Sequence, residues 1–558
     1  MWVNKKAGLL VWAVALLAVV SGAAEPGTAT NVFEGLIAPI AENRLDKLVF
    51  TGLARMNIRP VLCSDAVFVR RAFLDVIGTL PTAQEAREFI EDSDSKNKRR
   101  VLIEQLLARD EFADYWAMKW GDILRIKAEF PVNLWPNAAQ AYHRWVRVSL
   151  AENKPYDQFV RELLTSSGSN FRVGPVNFYR AIQNRTPDGI ATAVALTFMG
   201  VRTESWPTNN LAGMAAFFAQ VGYKRTREWK EEIVFWDPLH FTEWATNGFA
   251  ELVIEPRTNR PPQWAVFPDG TRIKLPPNRD PREVFSDWLI TPRNPWFTRN
   301  AVNRVWFWLL GRGIIHEPDD IRPDNPPGNP ELLAFLEQEL IASRYDMKPL
   351  YRSILKSRTY QLSSMPSFSD VKAEASFASY PLRRLDAEVL IDAINKITGA
   401  TDLYTSAIPE PFTYMPENKL AIALPDGSIT SPFLALFGRS ARATGLENER
   451  INKPVPAQSL HLLNSSHIQR KIEQGPKLKE LLNSGRKPSE IVEELYLTIL
   501  SRFPTPGEMN NALAYGKLNI ENKPGKAGAR PALTAKQRED WVDITWALIN
   551  STEFLYRH

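Results

Sequence analysis

Cysteine is nearly absent from this chain: Cys63 is the only one in 558 residues, which excludes an internal disulfide. The cores must hold without covalent staples, and this length supplies material for two or three domains. Cys63 follows Val61-Leu62, an apolar setting that reads as a buried structural thiol rather than a nucleophile. Glycine is scarce, 28 residues against 41 prolines, which implies long proline-punctuated connections between helices. A dominant charge sign is missing too: 68 basic and 63 acidic residues leave +5, and that balance gives no reason to expect nucleic acid. Histidine is sparse. His143, His240, His316, His461, His467 and His558 show no ligand-pair spacing, and His461 and His467, six positions apart, fall on different faces of a helix. No metal is therefore predicted. Nor is there a nucleophile elbow, because Ser166-Ser167-Gly168-Ser169 lacks the first glycine and a preceding strand.

Long apolar runs are confined to the start. Lys5 and Lys6 precede an apolar stretch from Leu9 to Val20, followed by Ser21-Gly22-Ala23-Ala24. That order reads as a signal peptide over 1–24, cut near Ala24–Glu25 and too short for a comfortable membrane span. The expectation is an exported chain, periplasmic or extracellular, with no stable membrane insertion after signal removal.

Helical periodicity dominates the rest of the chain, so the fold class is mainly α, with multi-helix bodies. Asp386 opens one helix: Leu385 and Leu390 take staple positions, an apolar set runs to Ile397, and Gly399 closes it. Asp188 after Pro187 is expected to cap a helix running to Gly200, and Leu211 to Val221 is expected to be helical up to Gly222. Between 226 and 280 the pattern changes to strand-like alternation. Ala265-Val266-Phe267 faces Arg272-Ile273-Lys274-Leu275 across Asp269-Gly270, a small β insert or hairpin at a junction. The organisation expected is a helical body over 25–225, the β insert and linker over 226–280, and a second helical body over 281–558.

Two echoes run through the sequence. Leu80-Pro81-Thr82-Ala83-Gln84-Glu85 recurs as Phe503-Pro504-Thr505-Pro506-Gly507-Glu508, each a Thr-x-x-Glu capping box followed later by Glu-Phe, at Glu111-Phe112 and Glu553-Phe554. Asn153-Lys154-Pro155-Tyr156-Asp157 is echoed by Ser343-Arg344-Tyr345-Asp346. Reused helical hairpins or merely similar helix starts account for both.

Phe68-Val69-Arg70-Arg71-Ala72-Phe73-Leu74-Asp75 and Gly78-Thr79-Leu80-Pro81-Thr82, with Asn294-Pro295-Trp296-Phe297, Val302-Asn303-Arg304-Val305-Trp306, Gly311-Arg312-Gly313, Asp319-Asp320-Ile321-Arg322, Leu385-Asp386-Ala387-Glu388, Phe437-Gly438-Arg439 and Leu460-His461-Leu462-Leu463-Asn464, carry a resemblance. Nearly the whole chain after the leader resembles the exported planctomycete-type proteins that pair two domains of unknown function, often beside a cytochrome c module. The resemblance implies no particular reaction. It implies a Cys-x-x-Cys-His element where this chain reads Gly200-Val201-Arg202-Thr203-Glu204-Ser205-Trp206-Pro207, and a second cysteine-bearing stretch at Thr444 to Arg450. Both cysteines and the histidine are missing from the first and no cysteine stands in the second, so covalent haem is excluded and no cofactor is predicted.

Candidate binding residues are those of the altered loop and the nearby tryptophans: Arg202, Glu204, Trp206, Asn209, Trp229 and Trp236, with His461 and Asn464 beyond them. Tryptophans among polar groups can grip a sugar ring or a protein partner, or they can be core. Arg299, Arg304, Arg312 and Arg322 beside Asp319 and Asp320 read as an ion-paired buckle tying loop to helix; the alternative is a calcium loop, for which the EF-hand spacing is absent. The functional expectation is a non-haem binding or assembly protein of the envelope or exterior. The alternatives are an extracellular polysaccharide-processing enzyme and an electron-transfer accessory that docks a cytochrome.

Overall fold

A computed structural model describes residues 31–35, 39–238, 263–365, 371–409, 411–516 and 538–558. The expected leader and part of the expected β insert, 239–262, lie outside the described residues.

The chain is mainly α-helical. Its first half runs through α1 (Arg44–Arg55), α2 (Asp65–Val76), α3 (Ala83–Glu91), α4 (Lys98–Leu107), α5 (Asp110–Ile123), α6 (Pro136–Ala151) and α7 (Tyr156–Thr165). A short strand β1 (Gly168–Ser169), then α8 (Pro187–Val194) and α9 (Thr208–Ala215), lead to the strands β2 (Val221–Arg225), β3 (Glu232–Trp236), β4 (Trp264–Val266) and β5 (Arg272–Lys274). The second half contains α10 (Pro281–Leu289), α11 (Phe297–Leu310), α12 (Pro330–Ala342), α13 (Met347–Leu355), β6 (Arg383–Arg384) and α14 (Ala387–Thr398). It ends with α15 (Pro456–Asn464), α16 (Ser466–Gln474), α17 (Pro488–Leu500), α18 (Pro506–Ala514), α19 (Arg538–Ile549) and β7 (Tyr556–Arg557).

The proline excess finds its place at helix starts. Pro136, Pro187, Pro281, Pro330, Pro456, Pro488 and Pro506 each take the first helical position, where the missing N–H would have had no partner. This corrects one expected cap: with Pro187 at the first turn, Thr186 is held extended and its hydroxyl accepts the Gly189 N–H at 3.2 Å, while Asp188 merely sits in that turn. The α14 boundaries follow the sequence, with Asp386 preceding the helix and Gly399 closing it in a left-handed conformation. The helix expected up to Val221 instead ends at Ala215 with a short 3-10 turn. Val221 and Gly222 belong to β2, because backbone pairing with β3 captures them, Val221 opposite Trp236 and Gly222 opposite Phe235.

Three antiparallel strands in the order β1-β3-β2 make one small sheet, and β4 and β5 form the expected hairpin with Trp264 opposite Lys274. α9 packs on β4. The buried apolar side chains form one main cluster that extends from Leu45 to Phe554, so both halves share a core.

The first echo has a common structure. In α3, the Thr82 N–H donates to Glu85 Oε2 (2.7 Å) and the Glu85 N–H to Thr82 Oγ1 (3.1 Å); α18 repeats this with Thr505 and Glu508 at 2.8 and 3.2 Å. The turn before each box uses a left-handed residue, Gly78 (φ 66°) and Ser501 (φ 61°). Arg109 joins Glu85 to Glu111, and Arg502 joins Glu508 to Glu553, so each Glu-Phe pair closes the same Glu–Arg–Glu clasp. The units touch: Ala83 and Ala86 pack against Leu497, flanked by Ile90 and Phe503. The second echo also meets itself, since the Tyr156 N–H donates to the Tyr345 carbonyl and Asn153 Nδ2 to Asp346 Oδ1, both at 2.9 Å.

The clasps differ in burial, Arg502 having 8% of its side chain exposed and Arg109 31%. Removing one partner of a buried ion pair costs about 3 kcal/mol or more, whereas an exposed pair contributes about 1 kcal/mol or less. Urea unfolding should therefore show Arg502→Met losing several times more stability than Arg109→Met.

Candidate functional site

The family-like motifs converge on a buried network of charges. Arg70 and Arg71, on α2, are spent on backbone carbonyls: Arg70 donates to Ile499 and Phe554, each at 2.8 Å, and Arg71 to Tyr360 (2.6 Å), Leu362 (2.8 Å) and His558 (2.9 Å). Asp75, one turn on, accepts from the hydroxyls of Tyr360 (2.9 Å) and Tyr380 (2.7 Å) and pairs with Arg557 at 3.0 Å. Arg557 also reaches Asp386 (2.7 Å), which Lys119 of α5 contacts at 3.0 Å. Arg450 bridges Asp122 of α5 (2.7 Å) and Glu388 of α14 (2.6 Å), while Arg439 meets Glu388 at 3.2 Å and Arg442 meets Asp122 at 2.9 Å. Two glycines make room for Arg442: a Cβ on Gly121 would stand 3.1 Å from its Cζ, and one on Gly427 2.9 Å from its Cδ. Burial opposes ionisation of Asp386, but the charges of Lys119, Arg557 and Arg450 overcome it and hold the carboxyl well below its ordinary range. Glu388 is lowered for the same reason, with Arg450 and Arg439 outweighing burial.

Beside this network lie the two stretches where the resemblance places cysteines. Both dock on the acidic loop between α11 and α12. The Ile321 N–H donates to the Gly200 carbonyl at 2.8 Å on one side, and the Glu447 N–H to Asp319 Oδ2 at 2.7 Å on the other. Asp319 is itself buried and paired with Arg304 at 2.9 Å. Glu447 accepts the Trp308 indole N–H at 2.9 Å and stands 3.6 Å from Arg304. Burial pushes its carboxyl up to about 7, although Arg304 and Lys119 pull the other way. The remaining buckle residues disperse. Arg299 pairs with Glu337 (2.7 Å), Arg322 with Asp320 (3.1 Å) at the surface, and among the described residues Arg312 forms no ion pair.

The altered loop presents a mixed surface. Arg202 is half-exposed and 3.9 Å from Glu317, Glu204 and Asn209 are exposed, and Trp206 is half-buried against the core. Trp236 is half-buried too, its indole N–H donating to Gln220 at 2.6 Å. Trp229 lies at the opposite end of the β2–β3 hairpin, 69% exposed, with the Lys230 ammonium 5.5 Å from its ring centre. Trp264, on the hairpin against which α9 packs, is 52% exposed beneath Arg272 at 5.3 Å. His461 and the exposed Asn464 sit apart from all of these on α15. The role of Glu447 left no sequence signal, because it depends on Arg304 and Trp308, far away in the chain.

The raised carboxyl of Glu447 ties stability to pH. Between its ordinary value of 4.5 and about 7, the folded chain keeps a proton that the unfolded chain has released, so this group's contribution to stability declines as pH rises through that window. In Glu447→Gln the decline disappears. Urea midpoints should shift in favour of the variant between pH 5 and pH 8; a constant difference across that range would contradict the assignment.

Residues 44–221 match the family model described as a protein of unknown function (DUF1549), and residues 281–515 match a second, a protein of unknown function (DUF1553). No curated protein and no solved structure matches the chain. The first match opens at α1 and ends at the start of β2, the second opens at the proline that starts α10, and the buried charges described above join one region to the other. The chain belongs to the proteins that carry these two domains of unknown function on a single polypeptide.

Proposed function

We propose that this chain is an exported, non-haem binding or assembly protein of the cell envelope or exterior, and that it engages a protein partner or glycan through the surface formed by the altered loop and the two β-hairpins. The leader-like first 24 residues support export, and no helix among the described residues is long and apolar enough to cross a membrane. The loop that replaces the Cys-x-x-Cys-His element offers Arg202, Glu204, Trp206 and Asn209, none of which forms a thioether.

The observation that carries the reading is the exposure of Trp229 and Trp264. Tryptophan supplies a large flat apolar face with a polar edge, and an exposed one flanked by a cation is suited to a sugar ring or a partner's side chain. The buried carboxylates of the charge network, by contrast, are bound to guanidinium or ammonium groups, which leaves that cluster without a free acid and base pair.

Cross-linking in the producing cell followed by recovery of the chain, together with a glycan-binding screen, tests this. Trp229→Ala and Trp264→Ala together should lower recovery of partner or glycan at least tenfold while leaving thermal unfolding within a degree or two, since neither ring is core. Undiminished recovery by the double variant would refute the surface, and cleavage of a polysaccharide by the purified chain would refute the non-enzymatic reading.

A further inference from the structure

A spacing of six separates two side chains on one continuous helix, but His461 and His467 meet because the helix breaks between them. α15 ends at Asn464, Ser465 is extended (φ −74°, ψ 138°), and α16 begins at Ser466 with the Ser465 hydroxyl as its cap. The turn brings His461 Nε2 to 3.5 Å from His467 Nδ1, with the ring planes at 61° and their centres 5.7 Å apart. That separation is at the outer limit for a hydrogen bond. It is close to the separation of two imidazole nitrogens on one tetrahedral ion, roughly 3.3–3.4 Å when each lies about 2.0–2.1 Å from the metal.

The surroundings prepare both rings as ligands. His467 Nε2 faces Asp402 Oδ1 at 3.1 Å. A carboxylate there accepts the Nε2 proton, so the neutral ring carries its lone pair on Nδ1, the atom turned toward His461. Asp402 is fixed in turn by Lys471 at 3.3 Å, whose ammonium also donates to Asn395 Oδ1 (2.8 Å) and the Thr401 carbonyl (2.6 Å). His461 is braced by Phe433 and Phe437, whose ring centres lie 5.7 and 6.1 Å from its own.

We propose that His461 and His467 form a two-imidazole site for a divalent late transition-metal ion of the Cu2+ and Zn2+ class, with Asp402 as the carboxylate that orients His467. Among the described residues no group of three or more His, Cys, Asp or Glu side chains gathers for a metal, and both rings are only half-buried. The remaining coordination positions therefore open to water or to a group brought by a partner, which makes the ion exchangeable rather than a structural anchor. The site lies apart from the tryptophan surface and stands or falls without it.

Titration of the purified chain with CuSO4 or ZnCl2 alone, followed by calorimetry, tests the site. One ion per chain is expected, with Cu2+ held more tightly than Zn2+. Asp402→Asn should weaken binding about 10–100-fold, and His461→Gln with His467→Gln should abolish it. Stoichiometric binding that survives in the double variant would overturn the proposal, as would no binding by the unaltered chain at micromolar ion. Paramagnetic resonance of the unaltered chain with Cu2+ does not depend on whether the variants fold: coupling to two imidazole nitrogens is expected, and an all-oxygen signal would overturn the site.

Discussion

Buried charge is the constraint on which the rest of this structure depends. A carboxylate taken out of water needs a matching cation and a full set of hydrogen bonds, and removing one partner leaves the other uncompensated at several kcal/mol. Asp75, Asp122, Asp386 and Glu388 lie in the interior, and their cations come from distant parts of the chain: Lys119 from α5, Arg439, Arg442 and Arg450 from the segment before α15, Arg557 from β7. Satisfying all of them at once fixes how α2, α5 and α14 sit relative to one another. The close approach of Gly121 and Gly427 to Arg442 is a consequence of that demand. So is the pairing of β6 with β7, which sets Arg383 opposite Arg557 above Asp75.

This network also gives the family-like motifs a physical meaning. Arg70, Arg71 and Asp75, the Leu385 to Glu388 segment and Arg439 could be recognised in the sequence as a pattern, but no spacing within any one motif shows that they touch. Asp122 and Arg450 are joined across more than half the chain, and contacts of that kind leave no local periodicity to read. What is local was legible. The start and closing glycine of α14, the hairpin across Asp269-Gly270, both capping boxes and the burial of Cys63 all rest on residues a few positions apart. Local rules failed where a neighbour overrode them. Pro187 moved a cap from Asp188 to Thr186, strand pairing took Val221 from a helix, and the break at Ser465 brought together two histidines that a continuous helix would have kept apart.

For function, the division of labour between interior and surface matters most. The charged interior reads as architecture: the surrounding cations outweigh burial and hold Asp386 and Glu388 below their ordinary range. Glu447, pushed the other way, donates its N–H to Asp319 of the Arg304–Asp319 pair, on the same acidic loop whose Ile321 N–H donates to the Gly200 carbonyl. The exposed tryptophans lie on the two β-hairpins, and the altered loop leads into α9, which packs on one of them. Among the described residues, the ion pairs of the charge network join Asp75, Asp122, Asp386 and Glu388 to Lys119, Arg439, Arg442, Arg450 and Arg557, and the side chains of the altered loop are not among them.

Buried charge makes the two family regions one body, and the most direct test is to introduce a protease site between Pro238 and Gln263, cleave the folded chain, and follow the pieces by size-exclusion chromatography. The halves are expected to co-elute as one particle in dilute buffer and to separate only under conditions that unfold them. Separation of two folded fragments under native conditions would contradict a shared, charge-tied interior.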